Sequence, residues 1–338
     1  MTRPRTPLDD VASVLDAELG DRVRHGVPLG PMTTYRVGGP ARFFLEAESL
    51  DELAAVARAR RRVELPILII GRGSNMLVAD SGFPGLVLSL ERLTGHLMIP
   101  TGSDDRSRVD RIVTAGSAVA LPVVARRTAA AGLAGFEWAV GVPGSIGGAV
   151  RMNAGGHGSD IASSLVDVVV VDLDREMPVP ETMGVEALGL RFRASSFAQS
   201  MVVLEVRLAL RPGDRAASEA LITDIVRWRR EHQPGGQNCG SVFVNPVPGE
   251  LAAGALIDSL GLRGLRIGSA WVSEKHANFV QAAEGGSSAD VRAVIEAVRA
   301  RVAAATGHHL RSEVRLVGFD DVDPTGFDDG VPHEGTCR

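Results

Sequence analysis

The sequence predicts an α+β fold in two domains, on three observations. The chain has 338 residues, and at ~150 residues per domain that length suggests two. Short runs with strand periodicity alternate with runs of helical periodicity along most of it. Pro212-Gly213-Asp214 then interrupts the chain, which places a domain boundary near Arg211–Ala217.

Taken in order, residues 1–30 are weakly patterned. Ser49 and Glu52 read as a capping box ahead of a helix carrying Leu53, Val56 and Ala57. Ile67–Ile70, a β-branched apolar run closed by Gly71, reads as a buried strand. Further strands follow at Leu86–Leu90 and Arg111–Ala115, with polar Thr101–Asp110 as a loop between them. Pro122–Ala131 fits a short helix with proline in its first turn. Val166–Asp172 is another strand. In Val202–Leu210 the alternation puts Leu204, Val206, Leu208 and Leu210 on one face. Beyond the break, helices are expected at Ala217–Arg230, Glu250–Leu260 and Asp290–Ala304. The last has an apolar stripe of Val291, Val294, Ile295, Val298 and Val302. Strands are expected at Ser241–Val244, Asn278–Gln281 and Glu313–Phe319.

The charge of −5 is unevenly distributed. Asp320, Asp321, Asp323, Asp328, Asp329 and Glu334 face only Arg338 in the tail, so residues 1–318 are neutral. A neutral body excludes a nucleic-acid-coating protein. No apolar run approaches the ~18 residues that span a bilayer, and no apolar stretch follows Arg3 and Arg5 as in a secretory signal. Cys239 and Cys337 are too few for a disulfide framework or a cysteine metal site. No metal is expected, and a cytoplasmic location is. The glycine- and proline-containing acidic tail is expected to be disordered.

Several segments concentrate chemistry. Gly71-Arg72-Gly73-Ser74-Asn75 follows a strand. It is either a tight turn or a place where backbone N–H groups approach a phosphate; Met76 rules out the Gly-x-Gly-x-x-Gly pattern. A second glycine loop runs from Gly141 to Ala149 and on through Met152–His157. Its apolar neighbours argue against a linker and for a wrap around an extended ligand. Two such loops suggest a pyrophosphate-containing cofactor. Ser241 sits at a strand entry after Gly240, without the hydrolase Gly-x-Ser-x-Gly setting; a small residue in a turn is the competing explanation. Cys239 has no activating partner and reads as inert. Lys275 is the one lysine in a chain that otherwise uses arginine. It is either a placed point charge or a solvated loop residue. Glu313 and Arg315 share a strand face, where an edge ion pair is the plain reading. Arg193 is open between anion binding and surface charge.

Together, Thr33–Ala41, Gly71–Asn75, Gly141–Ala149, Gly240–Phe243 and Glu313–Arg315 resemble, in order and spacing, the UDP-N-acetylenolpyruvoylglucosamine reductase (MurB) family. The likeness spans Leu29–Gly318. The Val272–Phe279 segment and the short path from Arg193 to Ser241 resemble its shorter type II branch. The resemblance implies an N-terminal extension (1–28), an FAD-binding domain of the PCMH/vanillyl-alcohol-oxidase type (29–212), a smaller α+β substrate domain (213–318) and an acidic tail (319–338). It implies noncovalent FAD, NADPH as electron donor and a UDP-sugar substrate in peptidoglycan precursor synthesis, with the protein a monomer away from membranes.

It also implies roles. Hydride would pass from flavin N5 to C3 of the enolpyruvyl group. Arg193 and Glu313 would stabilise the resulting charge, and Ser241 would protonate C2. Cofactor contacts would come from Tyr35, Arg36, Gly71, Arg72, Gly73, Ser74, Asn75, Gly141, Pro143, Gly144, Ser145, Gly147, Gly148, Asn153 and Gly155. Substrate contacts would come from Asn245, Lys275 and His276. Phe192, Ala194 and Val244 depart from the residues many relatives carry. Two alternatives share the fold: a flavin oxidase acting on an alcohol, and a non-catalytic nucleotide-binding relative.

Overall fold

The computed structural model describes residues 8–100, 111–247 and 249–320. Two compact units interleave along the chain. Met1–Val27, Arg42–Arg72 and Pro84–Arg229 form the first; Pro28–Ala41, Gly73–Phe83 and Arg230–Arg338 form the second. These units differ from the linear division expected at Arg211–Ala217. A single helix, Arg215–His232, starts just after the proline-glycine break, and the change of unit falls near its end. The expected Thr101–Asp110 loop and nearly all of the expected disordered tail lie outside the described residues, as do residues 1–7 of the extension.

The first unit has two cores. In one, the helices Leu8–Leu19 and Leu50–Arg62 pack with a four-stranded sheet ordered Arg24–Pro28, Pro40–Glu46, Phe83–Ser89, Ile67–Ile70. The Leu8–Leu19 helix corrects the reading of residues 1–30 as weakly patterned. Val11, Val14, Leu15 and Leu19 recur at helical spacing and are buried in that core. Half of the expected capping box forms: Ser49 Oγ accepts the Glu52 N–H at 3.2 Å, while the Glu52 carboxylate accepts the Glu48 N–H instead.

The other core lies against a sheet running Glu181–Gly184, Leu165–Asp172, Met201–Pro212, Arg111–Gly116, Leu97–Met98. The Leu121–Ala130 and Ile146–Arg151 helices cover it, with Ile222 and Ile225. Here the expected alternation breaks. Val206, Leu208 and Leu210 share this core with Val203, but Leu204 packs in the other one. The cause is a bulge: Val169 pairs with Glu205 but Val170 with Val203, so Leu204 is an extra residue.

In the second unit, an antiparallel sheet of Arg266–Ile267, Ala270–Val272 and Val280–Ala282 and a parallel pair, Met76–Val78 with Arg315–Val317, share a core with the Ser288–Thr306 helix. That helix buries Val291, Val294, Ile295, Val298 and Val302, the stripe read from sequence. Its N-terminus is closed by Asp80, whose carboxylate accepts from Ser287 Oγ (2.6 Å), Ser288 N (2.9 Å) and Ala289 N (3.1 Å). Among the described residues no helix is long and apolar enough to cross a membrane.

Candidate active site

In the second unit Ser241 and Glu313 are brought onto neighbouring backbone. Gly240–Val244 does not form the expected regular strand. It is an extended segment with one bridge, Phe243 to Ser312. Around that bridge Glu313 N–H donates to Val242 O at 2.7 Å, and Val244 N–H to Arg311 O at 3.0 Å. Gly240 has φ of +89°, and a side chain there would meet nothing within 4 Å, so the backbone before Ser241 borders open space. The glutamate is tied from its other side as well. Asn75 Nδ2 donates to Glu313 O at 2.8 Å, and Arg315 N–H donates to Asn75 O at 3.0 Å.

Cys239 is buried, and burial chiefly pushes its thiol up to about 12; the negative Glu313 adds to this, while the Tyr35 hydroxyl opposes it. It is no nucleophile, as its sequence setting suggested. The Tyr35 ring is fully buried in the unit core, so its side chain packs rather than offering a ligand surface, and burial holds its phenol ionisation well above the ordinary range. Arg36 is exposed in a left-handed conformation, its N–H held by Thr33 Oγ1 at 3.1 Å. Gly73 packs on the Met32–Thr33 backbone, and its carbonyl accepts Thr34 N–H at 3.2 Å.

Among the expected substrate residues, Asn245 is exposed, with Oδ1 accepting the Ala253 N–H at 3.1 Å ahead of the Ala253–Ser259 helix. Lys275 Nζ donates to Arg230 O in the last turn of the Arg215–His232 helix. That gives the lone lysine a helix-capping role. His276 Nδ1 accepts the Asn278 N–H at 3.2 Å. Burial, then the nearby Arg263 charge, hold its pKa below the usual histidine value. The neutral tautomer therefore presents Nε2–H as donor.

In the first unit the two glycine turns meet. A side chain at Gly71 would collide with Ser145 Oγ. Ser145 caps the Ile146–Arg151 helix by accepting the Gly148 N–H at 3.4 Å. Ile146 N–H and Gly147 N–H donate to Val119 O and Ser117 O, and Leu121 N–H to Gly144 O, which lashes Gly144–Gly148 to the loop before the Leu121–Ala130 helix. A Cβ on Gly147 would lie 2.6 Å from the Ser117 Cβ, so only glycine fits. Nearby in sequence, the buried Trp138 indole N–H has no hydrogen-bond partner among the described residues.

Arg193 sits on the second glycine loop. Its Nη2 donates to Gly155 O at 2.8 Å, Nη1 approaches Asn153 O at 3.5 Å, and the guanidinium lies 5.0 Å from the Phe192 ring centroid. Asn153 is spent internally: Nδ2 donates to Asp160 and Arg191 O, and Oδ1 accepts the Ala162 N–H. Arg36, Asn153, His157 and Arg193 are the non-glycine residues with positive φ among those described. All four lie in segments the sequence singled out, where such strain collects.

Sequence reading passed over two residues. One is Arg229, which is partly buried and makes no hydrogen bond or ion pair among the described residues; burial lowers its pKa. Its charge depresses the His157 pKa, after burial. The His157 ring meets the Trp228 ring edge-on at 5.3 Å and lies against Gly141. The other is Asn278, whose buried amide spans the Phe243 backbone. Neither stood apart in sequence from an ordinary surface arginine or loop asparagine.

Residues 232–317 match the UDP-N-acetylenolpyruvoylglucosamine reductase C-terminal domain, and residues 41–174 match an FAD-binding domain. The chain is 41% identical over 300 residues to the UDP-N-acetylenolpyruvoylglucosamine reductase of Synechococcus sp. strain WH7803, covering 88% of this chain and 94% of that one. It is 42% identical over 308 residues to the enzyme of that name from Heliobacterium modesticaldum, covering 89% and 93%. The crystal structure of MurB from Thermus caldophilus aligns with a TM-score of 0.71 at 30% identity, over 88% of this chain and 99% of that one. The chain belongs to the UDP-N-acetylenolpyruvoylglucosamine reductase (MurB) family of oxidoreductases.

Proposed function

We infer that this chain uses NADPH to reduce UDP-N-acetylglucosamine enolpyruvate to UDP-N-acetylmuramate for peptidoglycan synthesis, as a cytoplasmic monomer with noncovalently held FAD. The observation that carries the reading is the Glu313 N–H bond to Val242 O at 2.7 Å, which pairs the backbone that carries Glu313 with the backbone next to Ser241. A reaction that needs a proton at one carbon and charge stabilisation beside it uses that pair.

The first unit's residues fit FAD. At Gly71 and Gly147 a side chain would collide with Ser145 and Ser117, so the two turns form a cradle bare of side chains that a pyrophosphate can approach closely. Arg229, a partly desolvated cation that makes no hydrogen bond or ion pair among the described residues, suits an anionic portion of a ligand. FAD held there would supply the hydride-transfer chemistry between NADPH and C3 of the enolpyruvyl group.

The protein's own groups do the rest. Ser241 donates the proton to C2; a carbanion-like carbon is basic enough to take it from a hydroxyl. Arg193 as a cation and Glu313 as a carboxylic acid stabilise the negative charge that develops at C2 and its carboxylate. His276, neutral, donates from Nε2 to substrate oxygen, with Asn245 and Lys275 as further polar contacts. Purified protein is expected to be yellow and to oxidise NADPH rapidly only when the enolpyruvyl sugar is present. Colourless protein that cannot be reconstituted with FAD would overturn the reading.

A further inference from the structure

The Gly240–Val244 segment has sheet-like support on one edge only. Val242 O and Val244 N face Glu313 and Arg311. The Phe243 N–H and C=O point to the opposite edge, where a regular sheet would place another strand. A single side chain fills that place. Asn278 Oδ1 accepts the Phe243 N–H at 2.9 Å, and Asn278 Nδ2 donates to Phe243 O at 2.8 Å. The Asn278 backbone adds a third bond, its carbonyl accepting the Val242 N–H at 2.9 Å. Asn278 is 5% exposed and Phe243 is 2% exposed, so water does not replace these bonds easily.

We propose that Asn278 is the positioning residue for Ser241, fixing the segment that carries the hydroxyl against the one that carries Glu313. This rests on the reading of Ser241 as proton donor. The chemistry requires asparagine: one group must accept from an N–H and donate to a C=O at one residue's spacing. Leucine can do neither. Aspartate accepts from the N–H but, ionised, turns its second oxygen on the Phe243 carbonyl; protonated, it restores the donor. Burial raises the pKa of such a carboxyl, so an Asn278→Asp defect is mended by acid.

The test follows flavin absorbance by rapid mixing, separating reduction by NADPH from reoxidation by UDP-N-acetylglucosamine enolpyruvate. In Asn278→Asp at about pH 8, reoxidation is expected to slow at least about tenfold while reduction stays near wild type, since a small misplacement is costly only where the group reacts. At about pH 6 reoxidation recovers relative to wild type at the same pH. That reference matters because Glu274, Lys275 and His276 precede Asn278 on its own stretch of chain, Arg263 acts on His276, and Cys239 and Glu313 flank the Gly240–Val244 segment.

Wild-type reoxidation, or equal loss in both half-reactions at both pH values, overturns the proposal. Ser241→Ala run alongside separates the two ideas. Selective slowing there with normal Asn278→Asp overturns the positioning role alone, whereas unimpaired Ser241→Ala overturns both. If Asn278→Asp does not fold, amide exchange in the wild-type holoenzyme decides. Strong protection of the Phe243 N–H is required, and exchange at the rate of a free amide refutes the proposal.

Discussion

The side-chain amide of Asn75 donates to the backbone carbonyl of Glu313 at 2.8 Å, across 238 residues of sequence. With the Arg315 N–H returning to Asn75 O at 3.0 Å, it starts the parallel pairing of Met76–Val78 with Arg315–Val317. The last residue of the first glycine motif thereby holds the candidate acid in place. Asn75→Ala should cost about 1–2 kcal/mol through the unsatisfied, part-buried carbonyl. A lower urea midpoint with unchanged slope is the expected result; an unchanged midpoint would show that the bond contributes nothing.

Gly147 donates its N–H to Ser117 O and packs against that residue's Cβ. In Gly147→Ala the added methyl must push the Ser117 loop away, at a cost of about 1–3 kcal/mol. Since this loop belongs to the proposed flavin cradle, the variant is expected to leave gel filtration with much less flavin absorbance per protein. Full flavin retention would place the cofactor elsewhere.

His276 and His157 both have pKa values below the ordinary histidine value, burial being the main cause in each. The unfolded chain, titrating near ~6.5, therefore binds more protons than the folded one just below that pH. Stability is full above about pH 6.5 and is lost as pH falls through that value toward the folded pKa values. Thermal midpoints should drop between about pH 7.5 and 5.5, and less steeply in His276→Gln. Identical pH slopes in the two proteins would contradict the assignment.

Asp80 closes the Ser288–Thr306 helix. Burial works against its ionisation, but the bonds from Ser287, Ser288 and Ala289 prevail and hold its carboxyl below the usual range. Asp80→Ala should lose about 1–2 kcal/mol at neutral pH. The difference from wild type should shrink in acid, starting below the unfolded value of ~3.9 and vanishing as pH falls through the lower folded pKa, where the native carboxylate takes up a proton. Denaturant unfolding at the two pH values checks this.

Elements with internal periodicity were legible in the sequence. The Val291–Val302 stripe and the Ile67–Ile70 run needed nothing from the rest of the chain to be recognised. Leu204 was misplaced because a bulge depends on the partner strand, which a local pattern does not contain. The interleaving of the two units was hidden for a similar reason: residues 28–41 and 73–83 join the later unit through contacts with residues far along the chain, including Asn75 with Glu313. In the candidate site the glycine turns stood out in sequence, and side chains at Gly71 and Gly147 would collide with Ser145 and Ser117. Lys275 stood out by type and Tyr35 through the family resemblance, yet Lys275 binds a helix carbonyl and the Tyr35 side chain packs in a core. Asn278 and Arg229 did not stand out, because their roles come from burial and from what surrounds them.

The central claim is that Ser241 supplies the proton to C2 from a segment paired with the one that carries Glu313. It is tested most directly by rapid-mixing flavin absorbance of Ser241→Ala in the two half-reactions. Reduction by NADPH should proceed near the wild-type rate, and reoxidation by UDP-N-acetylglucosamine enolpyruvate should fall by roughly two orders of magnitude or more. Reoxidation at the wild-type rate, or an equal loss in both half-reactions, would contradict the account.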